Sequence, residues 1–222
     1  HDFAPDTSIM PNPLMLVFVI YVVNSLLFLP FRRPKKEKTS AKKVNRYTTM
    51  SLLVLLGMVE TFGTLSYIVG LGKTSAINAS ILVNSETMFA ILIGVMVFRE
   101  RLDKKETLPF ILIILGTILI PICSDLHNND WQVYEFVLGD LFVMVSAMFY
   151  CLDTFIAKKL NSSIKTRHIV HVMSCTGAIM MLGLILLFEI PFDISVEQLS
   201  IISIVGFLGI GATMMFFVIA LR

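Results

Sequence analysis

Long apolar stretches alternate with short polar ones along the whole chain. Seven apolar windows are long enough to cross a hydrocarbon core of about 30 Å. They cover residues 14–30, 48–71, 76–98, 108–124, 136–157, 168–188 and 199–221. Hydrophobic residues make up 56% of the chain and charged residues 15%, and the charges cluster between the windows. This pattern predicts an all-α fold, a polytopic transmembrane helix bundle with seven spans in this chain.

The positions of Lys and Arg predict the orientation of these spans. All of them except Lys73 fall on one face when the seven windows are threaded alternately through a bilayer. The positive-inside rule makes that face cytoplasmic, with the N-terminus of this segment outside and its C-terminus inside a cell (plasma or inner) membrane. Trp131 and Tyr134, in an acidic outer loop, are typical of an interfacial belt.

The basic run over residues 32–46 lies between two spans. We interpret it as a cytoplasmic retention signal in contact with anionic membrane lipid, and we expect no nucleic-acid partner. Cys123, Cys151 and Cys175 have neither disulfide nor metal-ligand spacing, so we interpret them as small apolar side chains. We expect no cofactor and no metal.

A weak internal repeat relates the second and seventh windows at an offset of 150 residues. It lays "YIVGLGK" (67–73) over "FVIALR" (217–222). The two windows cross in opposite directions, which is the inverted-topology relation found in secondary transporters. The repeat predicts a 5+5 plan of ten helices, of which this chain holds helices two to eight. Residues 1–125 would be a first repeat lacking its first helix, and 126–222 a second repeat lacking its last two.

The stretch "YIVGLGKTSAINASILVNSETMFAILIGVMVFRERLDKKETLPFILIILGTILI" (67–120) resembles the third to fifth helices of the drug/metabolite transporter superfamily, EamA type. The segment "GDLFVMVSAMFYCLDTFIAKKL" (139–160) is similar to the helix that opens that family's second half. The resemblance implies export of amino acids or related small metabolites. Where the family usually has Glu-Pro, this chain has Glu86-Thr87, so we expect the third window to form a straighter helix.

Two carboxylates lie near the middle of their windows. Glu60 and Glu86 are about thirteen and twelve residues from the tight turn at Lys73 and Thr74. At 1.5 Å per residue they lie at nearly the same depth. A charge at mid-bilayer costs about 2.5 to 3.5 kcal/mol, so we expect the pair to face a water-filled cavity or a partner, or to hold protons.

Two other acids receive a structural interpretation. Asp140 and Asp153 lie nearer the ends of their window, where water or the neighbouring Lys158 and Lys159 would satisfy them. Gly139, Ser146 and Asp153 recur every seven residues and so share one helix face, which we expect to point into the protein.

Polar stripes on several windows predict one central cavity for a small-molecule substrate. Its predicted lining is Glu60, Thr64, Tyr67, Asn78, Asn84, Ser85, Glu86 and His171. Glu60 and Glu86 are the candidates for proton coupling. Small and hydroxyl residues at helical spacing also serve helix packing, and for the Ser and Thr positions packing is the stronger interpretation. His171 fits titration and an interhelical hydrogen bond about equally well.

These features favour a secondary transporter, an exporter of small metabolites by alternating access with proton coupling, rather than an enzyme. A seven-helix receptor or retinal protein shares the topology, but the last window has no Lys for a Schiff base. A non-transporting membrane scaffold is the third alternative. Homodimerisation through the small face of Gly206, Gly209 and Gly211 is left open.

Overall fold

A computed structural model describes residues 11–29, 46–98, 104–125, 132–161 and 164–220. Within these ranges the chain is helical and contains no strand. The helices are α1 (Pro13–Leu27), α2 (Arg46–Leu71), α3 (Ala76–Leu82), α4 (Ser85–Phe98), α5 (Lys104–Asp125), α6 (Gln132–Asn161), α7 (Thr166–Leu187), α8 (Val196–Gly206) and α9 (Thr213–Ala220). A π-helical segment, Phe207–Ala212, joins α8 to α9.

Every predicted window coincides with helix, so the polytopic helical fold is confirmed. Among the described residues, five segments are long and apolar enough to span a membrane: Tyr47–Leu71, Ala76–Met96, Val137–Leu160, Thr166–Leu187 and Val196–Ala220. The helix α1 is apolar but has only 15 residues. Many large apolar side chains point outward, among them Ile179, Leu187 and Phe216, each about seven-tenths exposed. Such a surface needs lipid around it.

The chain divides into two compact units. Unit 1 comprises residues 1–58 and 156–222, and unit 2 comprises residues 59–155. The helices α2 and α6 contribute one part to each unit. The predicted boundary at residue 125 divides the sequence into two repeats. It is a different kind of division from these compact units, and it stays a prediction.

In unit 1, α1 packs against α7 and α8. Glycines allow close approach: a Cβ placed at Gly206 would lie 2.6 Å from Ile20 Cγ1, and one at Gly211 would overlap the side-chain oxygen of Asn24. A separate apolar core joins α2, α6, α7 and α9, with Leu53, Leu56, Ala157, Leu160, Ile169, Met173 and Val218 buried in it. The small-residue face of the last span is therefore largely occupied by α1 of the same chain.

In unit 2, the backbones of α2 and α6 approach closely. A Cβ placed at Gly70 would lie 2.8 Å from the carbonyl oxygen of Gly139. Beside this contact, Thr74 donates a hydrogen bond from its hydroxyl to Asp140, so Asp140 has a structural role with a hydroxyl as partner. The helices α3 and α4 pack against α5.

The third span is not one continuous α-helix, and its greater straightness relative to the family stays a prediction. Helix α3 ends at Leu82 and α4 begins at Ser85, although no proline lies between them. The Asn84 side chain donates to the Ser80 carbonyl (2.8 Å), the acceptor that the Asn84 amide would use in a continuous helix. That amide bonds to the Ile81 carbonyl instead (3.1 Å), and the turn tightens. Short polar side chains thus interrupt the helix by competing for backbone acceptors.

Several predictions concern residues outside the described ranges. They include the basic residues between 32 and 45, those of the turn at 99–103, Trp131 and Arg222. Cys123 and Tyr134 lie in α5 and α6, and their side chains are outside the described part of the structure. The orientation of the spans consequently stays a prediction.

Candidate functional site

Helix α2 contributes two adjacent polar side chains to the interior of unit 2. Glu60 is 1% exposed and Thr64, one turn later, is likewise buried. The Thr64 hydroxyl lies 3.5 Å from Glu60 Oε1, at the outer limit of a hydrogen bond. Gly63 lies between them in sequence, and a Cβ there would be 3.1 Å from the ring of Tyr150. The absence of a side chain at Gly63 lets α6 bring its aromatic ring against this part of α2.

Helix α6 contributes Tyr150, Asp153 and Thr154. The predicted inward face of this helix is confirmed, because Gly139, Ser146 and Asp153 are all buried. The Tyr150 hydroxyl forms a hydrogen bond with Thr64. The single hydroxyl of Thr64 therefore interacts with both Glu60 and Tyr150.

Helix α4 contributes Glu86 at its first turn. Thr154 Oγ1 donates to Glu86 Oε1 at 2.9 Å and also lies 3.0 Å from the carbonyl of Tyr150. The amides of Glu86 and Thr87 bond to the carbonyls of Val83 and Asn84 (both 3.1 Å), so a tightened turn leads into α4. The interruption before Ser85 therefore places the Glu86 carboxylate in the first turn of a helix, in the middle of a span.

Glu60, Glu86 and Asp153 form one group, called here the carboxyl cluster. Glu60 interacts electrostatically with both Asp153 and Glu86, and Asp153 interacts with Glu86. No Lys, Arg or His among the described residues pairs with any of the three. The electrostatic interaction of Glu60 with Glu86 agrees with their predicted proximity, and their common depth stays a prediction.

Two oxygens of the carboxyl cluster lack a hydrogen-bond partner. Among the described residues, neither Glu60 Oε2 nor Asp153 Oδ1 meets a donor. Both side chains are at least 98% buried. A buried carboxylate oxygen without a donor is costly, so each must be hydrated, protonated or bound to a cation. The carboxyl cluster can therefore bind water, a proton or a cation.

The interpretation of Asp153 as a near-interface acid satisfied by water or lysine is wrong. Its side chain is 2% exposed, while Lys158 and Lys159 lie in the last turn of α6, exposed. The available signal was the seven-residue spacing from Gly139 through Ser146 to Asp153, which marks a buried face. The interpretation relied instead on the short distance along the sequence from Asp153 to the lysines, whose side chains do not pair with it.

The remaining predicted site residues of unit 2 have structural contacts. Tyr67 packs against the small core of Ala79, Leu82 and Val143. Asn78 is buried in the first turn of α3, and its Nδ2 meets no acceptor among the described residues.

The polar side chains at the interruption donate to backbone carbonyls of α3, within the same span. The Ser85 hydroxyl donates to the Leu82 carbonyl at 2.6 Å, and Asn84 donates to Ser80 as described above. These two side chains shape the helix break.

His171 belongs to unit 1, whereas the three acids of the carboxyl cluster belong to unit 2. Its Nδ1 is 2.9 Å from the backbone carbonyl of Ser25. A carbonyl oxygen only accepts, so Nδ1 carries the proton and donates. Nε2 is 3.7 Å from Cys175 Sγ. Of the two interpretations of His171, the contacts agree with a hydrogen bond between helices, here α1 and α7.

The fold and its buried acids define the class as an integral, multi-pass helical membrane protein. The EamA-like transporter family matches residues 10–122, half of the chain. This chain belongs to that family. It is also similar to an uncharacterized transporter of Methanothermobacter thermautotrophicus, with 34% identity over 188 residues. The alignment covers 85% of this chain and 54% of the relative, so the chain spans about half the relative's length.

Proposed function

We propose that this chain is part of a secondary transporter that exports small metabolites by alternating access, with protons exchanged at the carboxyl cluster. Family membership supports transport in general. The observation that carries the proposal is the pair of buried carboxyl groups, Glu60 and Asp153, whose unpartnered oxygens lie within the spans. Ionisable groups inside a membrane are expensive and typical of substrate or proton pathways.

Proton exchange follows from the contents of the cluster. Three acids close together repel one another when all are ionised, so binding a proton lowers the electrostatic energy. The hydroxyls of Tyr150, Thr64 and Thr154 can pass or reorient hydrogen bonds as a carboxyl group gains or loses its proton. A gradient of pH across the membrane would then supply the driving force.

Two interrupted spans support the alternating-access part of the proposal. One interruption lies between α3 and α4, directly before Glu86, and the other is the π-helical segment Phe207–Ala212. Broken helices and π-helical segments are frequent at functional sites in membrane proteins. We place the protein in the cell membrane with the N-terminus of this segment outside, on the strength of its Lys and Arg distribution.

The test is a transport assay with the full-length gene product in proteoliposomes. Efflux of candidate amino acids and related metabolites is measured with and without a pH gradient. We expect a gradient-dependent rate in the wild type. Glu60→Gln and Glu86→Gln should abolish that dependence, because neither amide can release a proton at neutral pH.

Glu189→Gln is the matched control, since Glu189 is exposed in the connection after α7. It should transport like the wild type. Unchanged transport and pH dependence in both cluster variants would exclude proton coupling through these residues. Absence of transport for every solute in well-folded wild type would count against the transporter assignment itself.

A further inference from the structure

The three side chains of the carboxyl cluster are all acids, which in their ionised form offer hydrogen-bond acceptors and no donors. Glu60 and Asp153 interact without any intervening basic group among the described residues. Every donor described at the cluster is a hydroxyl. A site with this charge balance attracts cations and repels anions, since desolvated charges interact strongly. The group that would balance the charge of the carboxyl cluster is therefore a cation.

The unpartnered oxygens give independent evidence for a ligand. Glu60 Oε2 and Asp153 Oδ1 belong to different helices, are almost fully buried, and have no donor among the described residues. Two such oxygens on electrostatically interacting side chains can accept hydrogen bonds from one N–H-bearing cation, or pair by charge with a quaternary nitrogen. A proton would satisfy one of them, whereas a nitrogen cation can satisfy both.

The surroundings of the cluster favour an organic cation over a bare metal ion. Tyr150 interacts with Glu60, Asp153 and Tyr67. Aromatic faces attract ammonium groups by cation–π interaction, more strongly when desolvated. Hydrated metal ions instead require several oxygen ligands at short range.

We propose that Glu60, Glu86 and Asp153 together form a binding site for a positively charged nitrogen group of the transported substrate, and that Asp153 is an essential third member. The inference rests on the proposed function, to which it adds the substrate class. Binding breaks the O–H bond of a protonated carboxyl group, and its proton leaves to water as the nitrogen cation takes its place. Substrate and proton therefore compete.

The other titratable groups around the cluster are phenols and a thiol. Tyr150 and Tyr67 interact with each other, and Tyr150 with the acids; Cys151 interacts with Glu86. Helix α5 packs against α4, and the side chains described in it, which lie between residues 107 and 119, include no titratable group. Competition between proton and cation in the acidic range would thus report on the carboxyl groups.

The test compares two ligands of the same shape and different charge. Binding of choline and of its neutral isostere 3,3-dimethylbutan-1-ol is measured by calorimetry on the full-length protein in lipid-free maltoside micelles, at pH 8 and pH 5.5. We expect choline to bind at least about tenfold more tightly at pH 8, because of the two ligands only choline carries a positive charge that pairs with the carboxylates. That preference should shrink at pH 5.5, and choline binding should release protons.

Asp153→Asn should remove the preference for choline. Asp153→Glu, which keeps the charge, should retain it and so separates loss of the site from loss of the fold. Glu189→Gln serves as the control and should match the wild type. Equal binding of both ligands by the wild type, or an unchanged preference in Asp153→Asn, would overturn the proposal.

The lipid headgroup is the other source of a cationic nitrogen. Loss of choline binding on adding phosphatidylcholine to the micelles would reassign the site to lipid and overturn the substrate assignment. The inference and the proposed function can fail separately. Gradient-driven transport without charge preference would leave only the function standing, whereas charge-selective binding by a protein that transports nothing would leave only the site.

Discussion

Two groups of polar side chains, one in each unit, have opposite kinds of partner. In unit 1, Asn24 Nδ2 lies 3.4 Å from the Gly206 carbonyl, and His171 donates to the Ser25 carbonyl. In unit 2, Glu60 and Asp153 are acceptors close to other acceptors. A donor on a backbone carbonyl is a complete interaction that holds helices together. Acceptors grouped with acceptors are incomplete until a proton or a cation joins them.

The two interrupted spans differ in the same way. Asn84 and Ser85 interrupt the α3–α4 span with hydrogen bonds inside it, and the result places Glu86 at a helix start. The π-helical segment of the last span lies where Gly206 and Gly211 let α1 approach. The first interruption arranges a charge, and the second accommodates a neighbouring helix. Similar departures from α-helix therefore have different consequences for function.

Among the substitutions that compare the two units, we expect the largest change in stability at Gly211 in unit 1. Gly211→Ala places a methyl group against Asn24 Oδ1 and 2.8 Å from its Cγ, so it should destabilise the protein by about 1 to 3 kcal/mol. The measurement is equilibrium unfolding in mixed micelles. Gly209→Ala is the matched control, because a Cβ there has open space, and it should be nearly neutral. Asn24→Ala combined with Gly211→Ala should recover part of the loss, and strict additivity would argue against the contact.

In unit 2 we expect substitutions in the carboxyl cluster to raise the stability of the protein, by a somewhat smaller amount than Gly211→Ala lowers it. Asp153→Asn and Glu60→Gln each bring an amide donor to a group of acceptors, so each should stabilise the protein by about 1 to 2 kcal/mol while abolishing function. Thermal unfolding of the purified variants at neutral pH measures this. Asp140→Asn is the control. Its carboxylate already accepts from Thr74, and this variant should lose stability. Destabilisation in all three would mean that the cluster acids are already satisfied.

Restoring the family's Glu-Pro pair should change little. Thr87→Pro removes only the hydrogen bond from the Thr87 amide to the Asn84 carbonyl (3.1 Å) in the first turn of α4, at a cost of about 1 kcal/mol. Ile91→Pro, within the same helix, should cost about 3 kcal/mol or more. Both are compared by unfolding midpoint. Equal costs would show that the span behaves as one continuous helix.

The smallest effect is expected at the end of α7, away from both polar groups. Glu189 has φ 50°, and the Ile190 amide bonds back to the Ile185 carbonyl (3.0 Å), a Schellman-type ending in which glycine is preferred. Glu189→Gly should stabilise by about 0.5 to 1 kcal/mol without altering transport. Glu189→Ala should give no such gain. A gain with alanine would point to the charge instead of the backbone.

The proximity of Glu60 and Glu86 was predictable from the sequence, because a tight turn and a fixed helical rise leave little freedom. The face carrying Gly139, Ser146 and Asp153 was predictable for the same reason. The membership of Asp153 in the cluster was not, since it depends on how α6 packs beside α2 and α4 in unit 2. The interruption before Glu86 was missed because it arises from competition for single carbonyl groups.

The sequence by itself determined the membrane environment, the helical windows and the family. Lipid requires every backbone hydrogen bond to be satisfied within a span, so about twenty apolar residues leave essentially one structure. Only the tertiary structure decided which polar groups meet. It joined His171 to Ser25 and brought Asp153 to Glu60 and Glu86. Such meetings depend on packing between helices distant in sequence, and apolar periodicity alone does not specify their rotation.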